Sequence, residues 1–186
     1  LSRVFNAEPP RRREKPLKRI SRRLCVSALF CVSICVTAQE WPSYGGDPGN
    51  SRYSTLKQID RSNVTSLKVA WTYHTGDISD GSTYPVRSTF EATPLVIDGV
   101  MYVTTPFSRL IALDPETGKE LWAFDPKIDM DTPRNLFISR GAAYWSDGKQ
   151  KRIMLGTLDG RLFSIDTKTG KPDDSFGLGG FVDMHA

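Results

Sequence analysis

No cysteine occurs after residue 35 of this 186-residue chain. Cys25, Cys31 and Cys35 all lie in one apolar run, so disulfides and thiolate metal sites are excluded from residues 39–186. Histidine is nearly as scarce, with only His74 and His185. Zinc-site spacing, a phosphate-binding glycine loop, a dinucleotide fingerprint and a Ser-His-Asp arrangement are all missing. A basic stripe is missing as well. The 25 basic and 21 acidic residues are unevenly shared: nine basic and two acidic residues precede Gln39, a net of +7, which leaves 16 against 19, a net of −3. The overall basic balance therefore belongs to the leader, and the remainder gives no footing for nucleic acid.

The leader itself has the parts of a secretory signal. Arg11, Arg12, Arg13, Lys15, Lys18, Arg19, Arg22 and Arg23 form a basic region ahead of Leu24 to Ala38, an uncharged run of 15 residues. A bilayer core of about 30 Å needs roughly 20 residues, so the run suits a signal's apolar segment better than a span. Val36 and Ala38 give the small-residue pattern of a cleavage site, which puts the signal peptide at residues 1–38. An uncleaved anchor is the alternative. Export to the periplasm follows, with membrane association left open. Phe30 and Ile34 stand before Cys31 and Cys35, where a lipidation signal would have a small residue.

Beyond the leader the chain is turn-rich. Trp41 to Tyr53 is dense in Gly, Pro, Asn and Ser and reads as an irregular lead-in; Leu67 to Tyr73 reads as a short strand, and Gly76 to Arg87 as a loop. Residues 39–88 form this lead-in region. From Thr89 the pattern becomes regular. Thr93 to Ile97 and Val100 to Thr104 flank Asp98-Gly99, a dipeptide suited to a two-residue hairpin turn. Arg109 to Leu113 and Glu120 to Phe124 flank a second turn, Asp114 to Gly118, in which Pro115 presets φ. Four short antiparallel strands in a meander make one propeller blade.

The pattern recurs. Arg109-Leu110 and Asp114 to Lys119 return 52 residues later as Arg161-Leu162 and Asp166 to Lys171, with Thr157 matching Thr105. A period near 50 residues built of short strands predicts an all-β propeller, with residues 89–186 as its first two blades or so; a two-sheet sandwich is the runner-up but does not predict an internal repeat. In each copy the Asp caps the turn, and the Gly allows a left-handed corner. Trp122 offers a large flat surface to a neighbouring blade. The second copy has Ser164 for Ala112 and Asp174 for Trp122, so its outer strand is expected to pack more weakly.

The spacing from Ala112 through Asp114, Thr117 and Gly118 to Trp122 resembles the tryptophan-docking motif of quinoprotein dehydrogenases, which use pyrroloquinoline quinone (PQQ) and fold as eight-bladed propellers. Trp41 to Asp77 is similar to the entry of these enzymes, Thr89 to Trp122 to their first full blade, and Ser139 to Trp145 to the start of their second. The likeness is strongest to the glucose and polyol branch.

Two cofactor positions carry over by this resemblance. Glu91, in Phe90-Glu91-Ala92-Thr93-Pro94, is implied to contact the polar edge of PQQ. Arg140, in Ser139-Arg140-Gly141, is implied to contact its carboxylate or carbonyl oxygens. A guanidinium fork matches a quinone that bears three carboxylates. Without the motif, a Glu before a strand is ordinarily a solvated loop residue, and a lone Arg a surface ion pair. The alcohol-oxidising branch has adjacent cysteines six and five positions before this Arg, where Arg134 and Asn135 stand here; the membrane glucose enzyme has a His at the position of Leu136. Leu136 and Phe137 are open to either an apolar cofactor contact or a buried role. Asp125, Asp129 and Asp131 lack the turn Gly and terminal Glu of a calcium loop, and no metal ligand is assigned.

The resemblance implies an oxidoreductase that acts on a sugar, polyol or alcohol, holds PQQ with Ca²⁺ or another divalent metal, and passes electrons to a quinone or cytochrome. Its catalytic base and metal ligands belong to later blades of the family fold and are expected beyond Ala186. Two blades do not close a ring, so residues 39–186 alone are expected neither to bind PQQ nor to oxidise a substrate. A non-catalytic PQQ-repeat propeller acting as an envelope scaffold is the alternative; it explains the repeat and the export signal but not Glu91 and Arg140 in their motifs. Mass spectrometry of the exported protein is expected to give a mature N-terminus near Gln39, whereas a membrane-bound product retaining residues 1–38 would establish the anchor.

Overall fold

The two turns marked most strongly in the sequence set the topology. In the computed structural model, which describes residues 39–185 apart from Pro133, Asp98 and Gly99 both take positive φ, 51° and 74°, the pairing that matches hairpin twist. This turn joins β2 (Leu95–Ile97) to β3 (Val100–Thr104). β3 pairs with β4 (Leu110–Leu113), and β4 with β5 (Glu120–Phe124), giving an antiparallel sheet in the order β2-β3-β4-β5. At the second turn the Asp114 carboxylate accepts the backbone N–H groups of Glu116 and Thr117, and Gly118 supplies φ of 70°. The Thr117 N–H foremost holds the Asp114 carboxyl below its ordinary range. Asp166, Thr169 and Gly170 repeat the device.

The second sheet is built alike. β7 (Ala143–Ser146), β8 (Lys151–Gly156), β9 (Arg161–Asp166) and β10 (Phe181–Asp183) pair antiparallel in chain order. The expected outer strand begins beside β9 at Pro172 and Asp173, leaves at residues 174–180, and rejoins as the short β10. This interruption falls where the repeat has Asp174 in place of Trp, in line with the weaker outer strand expected there.

The sheets stack face to face. Leu95, Ile97, Tyr102, Leu110 and Ala112 of the first meet Ile153, Leu155, Phe163 and Ile165 of the second in one buried cluster. Alternation makes this possible: Tyr102 and Ala112 are cross-strand partners, as are Ile153 and Ile165, so each set lies on a single face. Burial of its ring pushes the Tyr102 phenol up to about 12, and its hydroxyl donates to the Thr167 carbonyl.

Two contacts staple the sheets at their outer side. The Trp122 indole lies over Gly170, and its Nε1–H donates to the Thr167 carbonyl at 3.2 Å. At the other end of the blade Arg161 donates to the Pro126 carbonyl at 2.8 Å. Both contacts recur one repeat earlier. Trp71 lies over Gly118 and donates to the Pro115 carbonyl at 3.0 Å, while Arg109 donates to the Thr75 carbonyl at 3.1 Å. Residues 67–73 were expected to form a strand. Among the described residues they have no strand partner, yet Trp71 docks on the first sheet as β5 docks on the second. Trp71 and Tyr73 thereby cover part of the sheet's other face, formed by Met101, Val103, Ile111 and Leu113.

The strand expected at Thr93 starts at Leu95 and the one expected at Arg109 starts at Leu110. The leader, residues 1–38, and the last residue, Ala186, lie outside the described residues. No described helix is long and apolar enough to cross a membrane.

A Cβ at Gly170 would sit 2.6 Å from the Trp122 ring, and φ there is 68°, whereas a Cβ at Gly99, also at positive φ, meets nothing within 4 Å. Gly99→Ala should therefore destabilise by about 1–2 kcal/mol of backbone strain. Gly170→Ala should add roughly 1–3 kcal/mol of overpacking, read as a lower urea midpoint. Equal midpoints for the two variants would contradict the docking.

Candidate functional site

Glu91 and Arg140 are brought together by a pairing that the strand pattern did not announce. β1 (Ser88–Phe90) and β6 (Phe137–Ser139) run parallel, one leading into each sheet, with Phe90 opposite Ser139. The next residue on each strand is Glu91 on one and Arg140 on the other. Their side chains form an ion pair, Nε to Oε2, at 3.6 Å. Expected immediately before an inner strand, Glu91 instead sits between β1 and β2, four residues ahead of Leu95.

The pair is open to solvent, with Arg140 at 81% and Glu91 at 44% side-chain exposure. An exposed pair of this length contributes little to stability. Its chemistry is the more informative aspect. The guanidinium keeps donors free for a planar carboxylate or carbonyl, and the carboxylate keeps acceptors free. Gly141 follows Arg140 with φ of 130°, a conformation that residues with a side chain rarely adopt, so the backbone beside Arg140 is left bare. This donor set fits a flat, oxygen-rich anion such as PQQ.

Sheet direction places other groups at the same end of the molecule. Between Trp71 and β1 the chain crosses the end of the first sheet, and residues 125–136 make the corresponding crossing from β5 to β6. A cavity of about 340 Å³ lies between the two crossings, lined in part by Asp77, Tyr84, Phe107, Arg109, Asp125 and Ile128. Asp77 is 7% exposed; one carboxylate oxygen accepts from Arg109 at 2.8 Å, and the other is buried without a partner among the described groups. Ser79 and Ser88 then tie the first crossing to β1: the Ser79 N–H donates to Ser88 Oγ at 2.8 Å, and the Ser88 N–H to the Ser79 carbonyl at 2.9 Å.

Phe137 is fully buried, stacked edge-on with Phe107 and Tyr84, so the buried role holds for it; the Arg134 guanidinium lies over its ring at 5.0 Å. Leu136 is half-buried. Asp129 turns its carboxylate to Asp131 and Thr132 of its own loop. No three described His, Cys, Asp or Glu side chains converge to hold a metal. The catalytic base and metal ligands expected beyond Ala186 fall outside the described residues, which end at His185. His74 lines an apolar hollow under Trp71, and His185 pairs with Asp183 at 2.9 Å in the open. Sequence reasoning missed the Asp77–Arg109 pair, 32 residues apart with no motif, and a hydroxyl contact from Ser139 to Thr104.

Stacked four-stranded meanders, stapled by Trp over Gly, with a Glu–Arg pair just past the parallel strands β1 and β6, define blades of a β-propeller. The chain belongs to the family described as the PQQ glucose/ethanol/alcohol dehydrogenase β-propeller domain, whose model matches residues 41–186. It is 44% identical over 139 residues to the dehydrogenase subunit of alcohol dehydrogenase (quinone) from Gluconobacter oxydans, a match that covers 71% of this chain and 16% of that protein. It is 36% identical over 167 residues to quinoprotein glucose dehydrogenase A of Acinetobacter calcoaceticus, covering 80% and 21%. The crystal structure of quinohemoprotein alcohol dehydrogenase from Comamonas testosteroni superposes with a TM-score of 0.59 at 30% identity, over 80% of this chain and 20% of that one. The chain thus spans about a fifth of the length of these relatives.

Replacing Arg109 by Leu strands the Asp77 carboxylate in the interior, and loss of one partner of a buried pair costs about 3–5 kcal/mol. A clear drop in the thermal midpoint is expected, partly restored when Asp77→Asn is added. Additive losses in the double variant would show that the two side chains do not act as a pair.

Proposed function

We propose that this protein is a PQQ-dependent dehydrogenase that oxidises an alcohol, polyol or sugar and passes electrons to a quinone or cytochrome. The observation that carries the reading is the Glu91–Arg140 pair at the ends of the parallel strands β1 and β6, in a chain of a family named for glucose, ethanol and alcohol dehydrogenases. When bound, PQQ supplies the two-electron acceptor for oxidation of the substrate carbon. The chain's own residues bind and orient. Arg140 would present its guanidinium fork to a carboxylate or carbonyl, with Glu91 holding that fork from one side through the 3.6 Å ion pair.

Relatives named for alcohol and for glucose both support the redox class. The scaffold alternative gains nothing from them. Ca²⁺, or another divalent metal, is included on the resemblance alone, and it would polarise the reacting carbonyl. Export to the periplasm belongs to the same proposal, on the strength of the basic and apolar leader.

Titration of the full-length gene product with PQQ, followed by tryptophan fluorescence, tests the reading. Arg140→Ala should weaken binding by about 1–3 kcal/mol, the scale of a lost charged hydrogen bond. Glu91→Gln, which keeps the shape and removes the charge, should weaken it less. Wild-type affinity in Arg140→Ala would remove the residue from the site.

A further inference from the structure

Glu91 and Arg140 stand on a thin platform. β1 and β6 are three residues each and form a two-stranded sheet of their own. A ribbon this short holds no fixed shape unless other elements anchor it. β1 has its anchor in the Ser79–Ser88 exchange described above. On β6, the residue directly before Arg140 is Ser139, and its hydroxyl donates to the hydroxyl of Thr104 at 2.9 Å. Thr104 ends β3 of the first sheet and is 2% exposed. The contact therefore crosses from the first blade to the strand that enters the second.

The repeat shows that blade construction does not call for this hydroxyl. One position on, Thr105 accepts the Arg109 N–H in its turn, and its counterpart Thr157 accepts the Arg161 N–H in the same way. That threonine is a turn residue, and both copies have it. The counterpart of Thr104 is Gly156, which has no side chain. The blade forms without an oxygen here. What the Thr104 hydroxyl adds in the first copy is a fixed point for Ser139, one residue from the guanidinium.

We propose that Thr104 and Ser139 are positioning residues that set where Arg140 stands against Glu91, and so tune the affinity of the site for PQQ. The proposal rests on the reading of Glu91 and Arg140 as cofactor ligands. Neither hydroxyl is assigned a contact with the ligand. They act through the backbone of β6, which carries Arg140 at the end of a pairing with β1 that is only three residues long.

The test is a double-mutant cycle on the full-length gene product, read as the PQQ dissociation constant by fluorescence titration, with thermal unfolding of the PQQ-free protein measured in parallel. Thr104→Val and Ser139→Ala should each weaken binding about five- to tenfold, the scale of one neutral hydrogen bond. The double variant should be no weaker than either single one. Thr104→Ser, which restores the oxygen, should return close to wild-type affinity with little change in the unfolding midpoint. Arg140→Ala is the reference. If it binds as the wild type does, the cofactor reading itself fails. If it weakens binding while Thr104→Val and Ser139→Ala do not, the positioning role is overturned and the cofactor reading stands. Additive losses, or losses that Thr104→Ser does not restore, also overturn it.

Discussion

The structure depends on a flat indole laid on a bare backbone. Trp122 covers Gly170 and hands its Nε1–H to the neighbouring turn, so a single side chain satisfies its own polar atom while excluding water from the join. The arrangement works only where the partner position has no Cβ. That requirement explains why the glycine of each Asp-to-Gly turn serves twice: it lets the chain enter the left-handed corner, and it leaves a floor for the ring. Apolar faces alone would hold two sheets together without fixing how far one rotates on the other. An indole on a glycine and an arginine on a carbonyl, at opposite ends of a blade, fix that rotation.

The same staple makes sense of residues 67–73. Hydrogen bonding alone describes them as irregular, but Trp71 on Gly118 and Arg109 on the Thr75 carbonyl place them as β5 is placed on the second sheet. They hold the position of a blade's outer strand. The apolar hollow of about 650 Å³ between them and Met101, Val103 and Leu113 has the same kind of lining as the filled join between the two sheets. On the far side of the second sheet the character changes: Arg152, paired with Asp173 at 2.8 Å, stands where the first sheet has Val100. The corresponding faces of the two sheets are therefore chemically distinct although the blade plan repeats.

Much of this plan was legible in the residues, because turns and alternation are local. Asp98-Gly99 and Asp114 to Gly118 dictate their own geometry, and β3 and β5 have the bounds their sequences suggest. Glu91 and Arg140 were legible as motif positions. The parallel pairing of β1 with β6 that joins them was not, since two three-residue strands separated by nearly 50 residues of intervening chain leave no period to detect. Leu67 to Tyr73 has the composition of a strand, but pairing is a property of neighbours, and composition cannot supply one. The late start of β10 is similar. Asp174 warned that the outer strand would be weak, while the return at Phe181 rests on packing against Phe163 at 5.2 Å. The Asp77–Arg109 and Thr104–Ser139 contacts join residues with no shared motif, and only the folded chain brings them within reach.

The parallel seam of β1 and β6 has a mechanical consequence. Each strand leads into a different blade, so a small molecule gripped from both sides of the seam would be a rivet between blades. Free energy spent in prising the seam apart would then have to exceed the molecule's hold on both strands. Conversely, anything that loosens the seam loosens that hold by an equal amount. The coupling between affinity at the seam and resistance to its opening would be one quantity, measured at two places.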